Sequence, residues 1–176
     1  MRLSRLLLTL VASGALAIST LTAQESPSTI RGWTFGATGF GILWTDQEAA
    51  FDVVAGPAFQ LGYVTPRGLG FDFRGGYFLP TGRYDLNGIS GILGISYGIP
   101  LGTHLFQLKA GATGLVGGDS DGSQGTGGGG YGGVGVVLRL AGRLGIQGDL
   151  LARYLQTGDR GVFAPSAAIG LVLLPR

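Results

Sequence analysis

The sequence predicts an all-β chain, an eight-stranded antiparallel up-and-down transmembrane β-barrel, and three observations carry that reading. Apolar and polar residues alternate along eight segments, the connections alternate between tight turns and more polar loops, and only 12% of the 176 residues are charged. An ordinary soluble domain carries about 25% charged residues. The 36 glycines follow no three-residue period, which excludes a collagen-like helix. They also recur every few residues, which disfavours helices, because each costs about 1 kcal/mol in a helix interior.

Taken in order, the first segment spans 30–44 and sets Trp33 and Trp44 on opposite parities, so it either bulges or turns one tryptophan inward. Residues 51–64 form the second. In the third, 69–79, Phe71, Phe73, Tyr77 and Leu79 oppose Asp72 and Arg74. Residues 87–99 form the fourth. In the fifth, 104–116, Phe106, Leu108, Ala110 and Ala112 oppose Gln107, Lys109, Gly111 and Thr113. The sixth, 133–141, sets Val134, Val136, Leu138 and Leu140 against Arg139. In the seventh, 144–154, the even positions are apolar or small while Gln147, Asp149 and Arg153 share the odd face, and 162–174 is the eighth. Every charge-bearing segment thus keeps its charges on one face, the mark of a two-faced strand. Tight turns at 65–68, 101–103 and 141–143 interleave with polar loops at 46–50, 81–86, 117–129 and 157–161. The turns recur at roughly 36 to 40 residues, which suits two membrane-length strands and one outer loop per repeat.

Ahead of the strands, Arg2 and Arg5 precede an apolar stretch over 6–17 and then small and hydroxylated residues up to Ala23. This is the layout of a secretory signal peptide, with cleavage expected near Ala23 and Gln24, a competing cut at Ala17, and a retained membrane anchor as the alternative. The domain reading is a removed leader over 1–23, a short periplasmic lead over 24–29 and a barrel over 30–176. There is no cysteine, so neither a lipid-modified cysteine nor a disulfide contributes. Without Arg2 and Arg5, the 12 Lys and Arg fall to 10, against 10 Asp and Glu. A neutral mature chain lacks the basic footprint of a nucleic-acid binder.

Alternation alone does not say which face meets lipid, but the inventory does. A soluble exterior is a quarter to a third charged, whereas this chain has one lysine, Lys109, and two glutamates, Glu25 and Glu48. The polar face holds mainly Gly, Ser, Thr and Gln, as an enclosed lumen would. Aromatics gather toward the strand ends, with Trp33, Tyr63, Phe71, Tyr97 and Phe106 near the tight turns. Trp44, Tyr77, Tyr131, Tyr154 and Phe163 lie near the loops, giving the two girdles that bilayer interfaces select. Eight strands can close without an edge, return both termini to one side, and enclose an interior just wide enough to be filled by side chains. A wide diffusion pore is therefore not expected.

With a leader ending before Gln24, eight alternating strands, interleaved turns and loops, and a Gly-rich, low-charge mature sequence, the chain resembles the small eight-stranded outer-membrane β-barrels typified by the OmpA transmembrane domain and OmpX. The resemblance implies a bacterial outer-membrane location, lipid as the surrounding partner and insertion by the barrel-assembly machinery. It departs in two places. The last strand ends Leu171-Val172-Leu173-Leu174-Pro175-Arg176 rather than on the aromatic residue that the machinery reads, and three of the four loops are short, without the protruding strands of OmpX. With the barrel running to residue 176, no peptidoglycan-binding domain is expected.

The remaining motifs are weighed against ordinary readings. Gly130-Tyr131-Gly132-Gly133-Val134-Gly135 spells a dinucleotide-binding pattern, but such a loop must follow a strand and open a helix, and here a strand follows. Asp119-Ser120-Asp121-Gly122-Ser123 begins like a calcium loop yet lacks the closing Glu, so a solvated loop is the expectation. His104, the only histidine, lies at a tight turn, away from the loops where a lipid-cutting barrel enzyme would need it. No catalytic residue, cofactor or metal is assigned, and the chain is read as a non-enzyme.

The candidate site is a lumen charge network of Asp72, Arg74, Lys109, Arg139, Asp149 and Arg153. A plug of ion pairs is the favoured reading, because an unpaired charge in a narrow interior is costly; a gated small-ion path is the alternative. Outward small residues, Ala37, Gly39, Gly41, Ala110 and Ala112, would permit close packing against another chain, although a monomer is expected. The function read from the sequence is structural support of the envelope or a surface contact, with an extracellular ligand met through the loops. A narrow channel and a secreted lipocalin-like barrel are the alternatives.

Overall fold

The computed structural model describes residues 30–45, 51–80, 86–119, 124–158 and 160–175. The expected leader (1–23), the lead (24–29) and residues 120–123 of the calcium-like run lie outside the described residues. The strands are β1 (Gly32–Thr45), β2 (Phe51–Val64), β3 (Leu69–Pro80), β4 (Leu86–Leu101), β5 (His104–Asp119), β6 (Gln124–Ala141), β7 (Leu144–Thr157) and β8 (Arg160–Leu173). Each pairs antiparallel with its neighbours in sequence, and β1 pairs with β8 from Phe35↔Leu173 to Ile42↔Ser166, closing the barrel. The chain therefore folds as the predicted eight-stranded up-and-down barrel.

The tight turns form where the sequence supplies residues for reversed backbone. Gly102 and Gly142, at φ 63° and 53°, open two-residue turns between the pairs Leu101↔His104 and Ala141↔Leu144. Hairpins of this length favour glycine at a central position with positive φ, because their twist then matches that of the strands. Both ends of the described barrel chain, at Ile30 and Pro175, lie on this turn side.

Two sequence expectations are corrected. Residues 117–129 are not one loop: β5 runs to Asp119 and β6 begins at Gln124. Glycines 125, 127–130, 132 and 133 show no alternation to read, yet the β5 ladder from Gly118↔Gln124 to Lys109↔Gly133 organises them as strand. The β5–β6 hairpin thereby extends past the β7 ladder, which begins at Gly128↔Gln156, and β4 accompanies β5 as far as Leu86↔Asp119. Tyr131 does not join the outer girdle, because its parity turns it into the lumen, where it is buried. Of the two alternatives left open for Trp33 and Trp44, the strand takes the one without a bulge, since the β1–β2 register runs unbroken from Gly32↔Val64 to Thr45↔Phe51.

Alternation sorts the rest. The outward face carries large apolar groups in the open, with Ile95 68% and Ile169 67% exposed. Such surface far exceeds the patches of a few hundred Å² that soluble monomers tolerate. The inward face packs two apolar layers. At the loop side Phe40, Ile42, Val54, Phe78, Leu155 and Ala164 form one cluster; at the turn side Ile30, Val64, Leu105, Val137, Val172 and Leu174 form another. A smaller group of Ile92, Tyr131 and Leu151 lies between.

Tyr131 fits because two inward positions opposite it are glycine. A Cβ at Gly94 would strike the Tyr131 hydroxyl and the Ala110 carbonyl, and one at Gly111 would strike the Tyr131 ring and the Leu93 carbonyl. Outward Gly39 has nothing nearer than 4.0 Å. The contrast gives a test by urea unfolding in lipid vesicles. Gly94→Ala should destabilise the barrel by about 1–3 kcal/mol through overpacking, while Gly39→Ala should stay within about 0.5 kcal/mol of the parent. Equal effects would show that the inward glycines are not spacing elements.

Candidate functional site

Every charged side chain described within the strands has inward parity: Asp72 and Arg74 on β3, Lys109 on β5, Arg139 on β6, and Asp149 and Arg153 on β7. Five of them are buried in the middle of the barrel. Strand alternation explains this economically, because β3 and β7 each bring two charges to one face through residues two or four apart.

Asp149 is the hub. It pairs with Arg74 across the lumen and accepts from Lys109 Nζ at 2.9 Å. Lys109 Nζ also reaches Asp72 at 3.1 Å, so one ammonium bridges two carboxylates. Gln147 donates to both Asp149 oxygens, at 3.3 and 3.1 Å, while its own Oε1 accepts from Gln60. Gln60 Oε1 accepts in turn from Arg74 Nη2 at 3.1 Å. The Tyr131 hydroxyl donates to Asp72 at 3.5 Å. Gly135 is part of the site by having no side chain: a Cβ there would collide with the Asp149 carboxylate and approach Lys109 Cε at 3.0 Å. Gly135, the last glycine of the run that spelled a dinucleotide pattern, thus serves as a window through which Lys109 on β5 crosses β6 to Asp149 on β7.

Arg153 stands apart. It is 2% exposed, and its described partners are hydroxyls: Nε donates to Ser166 at 2.9 Å, and Nη1 to Ser90 at 3.0 Å and Thr113 at 3.4 Å. Among the described residues no carboxylate pairs with it, so the buried lumen holds three cations and two carboxylates. The gap between Arg74 and Arg153, bounded by Phe40, Ser90 and Ile92, is too small for a water molecule.

Arg139, grouped with these charges in the sequence, does not reach the cluster. It lies one inward position beyond Val137, next to a register shift between Arg139 and Ala141, and its Nη1 donates to the Gly142 carbonyl at 3.1 Å. The turn-side apolar layer separates it from Asp149. Sequence reasoning also left out Gln60, Ser90, Ser166 and Tyr131. Tyr131 shares the parity of Arg139 and was findable by extending the sixth segment back through its glycines.

No protein-family model and no curated protein matches the sequence. Solved structures do share the fold. Neisserial surface protein A is 14% identical, with a TM-score of 0.65 over 81% of this chain and 96% of its own. The outer membrane protein OprG from Pseudomonas aeruginosa is 11% identical, with a TM-score of 0.64 over 86% and 100%. The N-terminal β-barrel domain of Pseudomonas aeruginosa OprF is 16% identical, with a TM-score of 0.51 over 80% and 97%. The architecture is thus that of the small outer-membrane β-barrels, and the resemblance noted in the sequence holds at the level of fold.

The network sets an order of sensitivity. Asp149→Asn leaves Arg74 without a carboxylate, so it should cost about 3–5 kcal/mol, the range for stranding a buried charge. Asp72→Asn should cost less, because Lys109 keeps Asp149. Unfolding midpoints in vesicles would decide, and a larger loss for Asp72→Asn would remove Asp149 from the centre of the network.

Proposed function

We propose that this chain is a monomeric outer-membrane barrel that acts as a closed structural element of the bacterial envelope and makes surface contacts through its loops. A leader over residues 1–23 would direct it to the periplasm, and the barrel-assembly machinery would insert it with termini and tight turns on the periplasmic side. The observation that carries the reading is the filling of the lumen. A polar middle is capped at each end by an apolar layer, with Phe78 and Leu155 on the loop side and Leu105 and Val137 on the turn side. An ion would have to cross both layers and part Asp149 from two cations, with nothing in either layer to replace its hydration.

The same filling supports the non-enzymatic reading. The five buried charged side chains of the lumen are each engaged with other lumen groups beneath apolar caps, and His104 lies at the turn end. The loops are left as the place where another molecule would be met, and the chemistry of that molecule is not written in the lumen.

Fractionation with heat-modifiability on a gel tests the membrane assignment. The expected result is outer-membrane protein whose mobility shifts on boiling; soluble protein without a shift would overturn the reading. Planar-bilayer recording tests closure. The parent should show no discrete conductance, and neither Phe78→Ala with Leu155→Ala nor Leu105→Ala with Val137→Ala alone should open it. The quadruple variant should leak, because two barriers in series must both be removed. Steady conductance by the parent would favour the narrow channel.

A further inference from the structure

Charge is segregated between the two ends of the barrel. The turn end carries Arg31 ahead of β1, Arg67 in the β2–β3 turn and Arg143 in the β6–β7 turn, all exposed, and among the described residues it holds no Asp or Glu. Asp72 and Asp149 are the carboxylates deeper in the barrel, buried and already paired. Seven of the ten acidic residues fall instead in or beside the four loop segments.

The arginines stand next to an apolar and aromatic rim. Arg31 shares the outward parity of Trp33, whose ring lies 5.1 Å from Tyr63 and 5.4 Å from Phe71. Leu69 beside Arg67, and Leu144 beside Arg143, are exposed on the same rim. Arg143 is held in place, since its Nε donates to the Leu174 carbonyl at 3.1 Å and its own carbonyl accepts from the Leu174 N–H at 2.7 Å. A cationic group fixed directly beyond an aromatic belt stands at the level of lipid phosphates. A soluble anion would need no such belt.

We propose that the turn end of the barrel is a binding surface for anionic phospholipid headgroups of the leaflet it adjoins, with Arg31, Arg67 and Arg143 contacting the phosphates. The proposal rests on the membrane-spanning reading above. It adds a preference for one class of lipid at one rim, and it fixes the barrel in depth through charge as well as through the girdle. Guanidinium suits the role because its planar donors match phosphate oxygens two at a time.

The test reconstitutes the full chain in vesicles of equal phosphatidylglycerol and phosphatidylcholine, extracts it in mild detergent, and counts retained lipids by mass spectrometry. Phosphatidylglycerol should be enriched about fivefold per engaged arginine, and the enrichment should fall in ~1 M salt, where the Debye length shrinks to about 3 Å. The combined variant Arg31→Gln, Arg67→Gln, Arg143→Gln should lose the enrichment while still shifting on boiling, and Arg160→Gln at the loop end should keep it. Equal retention of both lipids by a heat-modifiable barrel, or enrichment that survives the combined variant, would overturn this proposal and leave the membrane reading intact. Capture of dextran sulfate with no lipid preference would replace the headgroup by a soluble polyanion. Absence of any heat-modifiable form would overturn both readings.

Discussion

Closure of the backbone ladder is the constraint on which everything else depends. In hydrocarbon every N–H and C=O must find a partner within the protein, and a sheet meets that demand only by joining its first strand to its last. The β1–β8 register does so over eight residue pairs. Once the ladder is closed, side-chain direction follows from parity alone. A residue is either in the lumen or on the lipid face, and a shift of one position would move a strand's entire charge set into lipid. The outward display of Ile95, Ile169 and Phe163 and the burial of Asp149 and Arg153 are thus two expressions of one register.

An eight-stranded circumference leaves little room inside, and the side chains divide it by depth. The cations and carboxylates meet midway, where Gln60, Gln147 and Tyr131 add hydrogen bonds to them. Apolar residues occupy both ends. Placing the charges in the middle keeps them far from either solvent front, so water cannot replace one partner of a pair without first passing an apolar layer. Because each ion pair joins two different strands, the contacts also tie together walls that the ladder links only through their neighbours: Arg74 on β3 reaches Asp149 on β7, and Arg153 on β7 reaches Ser90 on β4.

The architecture was legible in the sequence because parity is visible wherever polar and apolar residues alternate. The inward direction of Asp72, Arg74, Lys109, Asp149 and Arg153 follows from the sequence alone, since each lies among apolar or small neighbours of opposite parity. Where glycine fills both parities the signal disappears. The start of β6, from Gln124 to Gly129, reads as loop for that reason, and Tyr131, just beyond it, is assigned to the wrong face. Partners across the lumen were equally hidden, because Lys109 and Asp149 lie on strands separated by β6 and only the register of Gly135 against Asp149 brings them together. Arg139 shows the converse limit: parity gave its direction correctly, but depth along the strand, set by the turn and the shift near Ala141, decides whether it can reach the cluster.

The excess cation in the lumen and the arginines at the turn end are separate electrostatic problems with different solutions. Arg153 is surrounded by hydroxyls that orient their dipoles toward it without carrying charge, so its field is not cancelled inside the barrel. A positive group held between apolar layers opposes the entry of any further cation. The arginines at the turns have no such enclosure; they face the headgroup region and can be neutralised only from outside. A filled lumen thereby places the adaptable chemistry of this molecule at its two ends, cationic at the turns and acidic at the loops, while the middle serves to keep the wall in register.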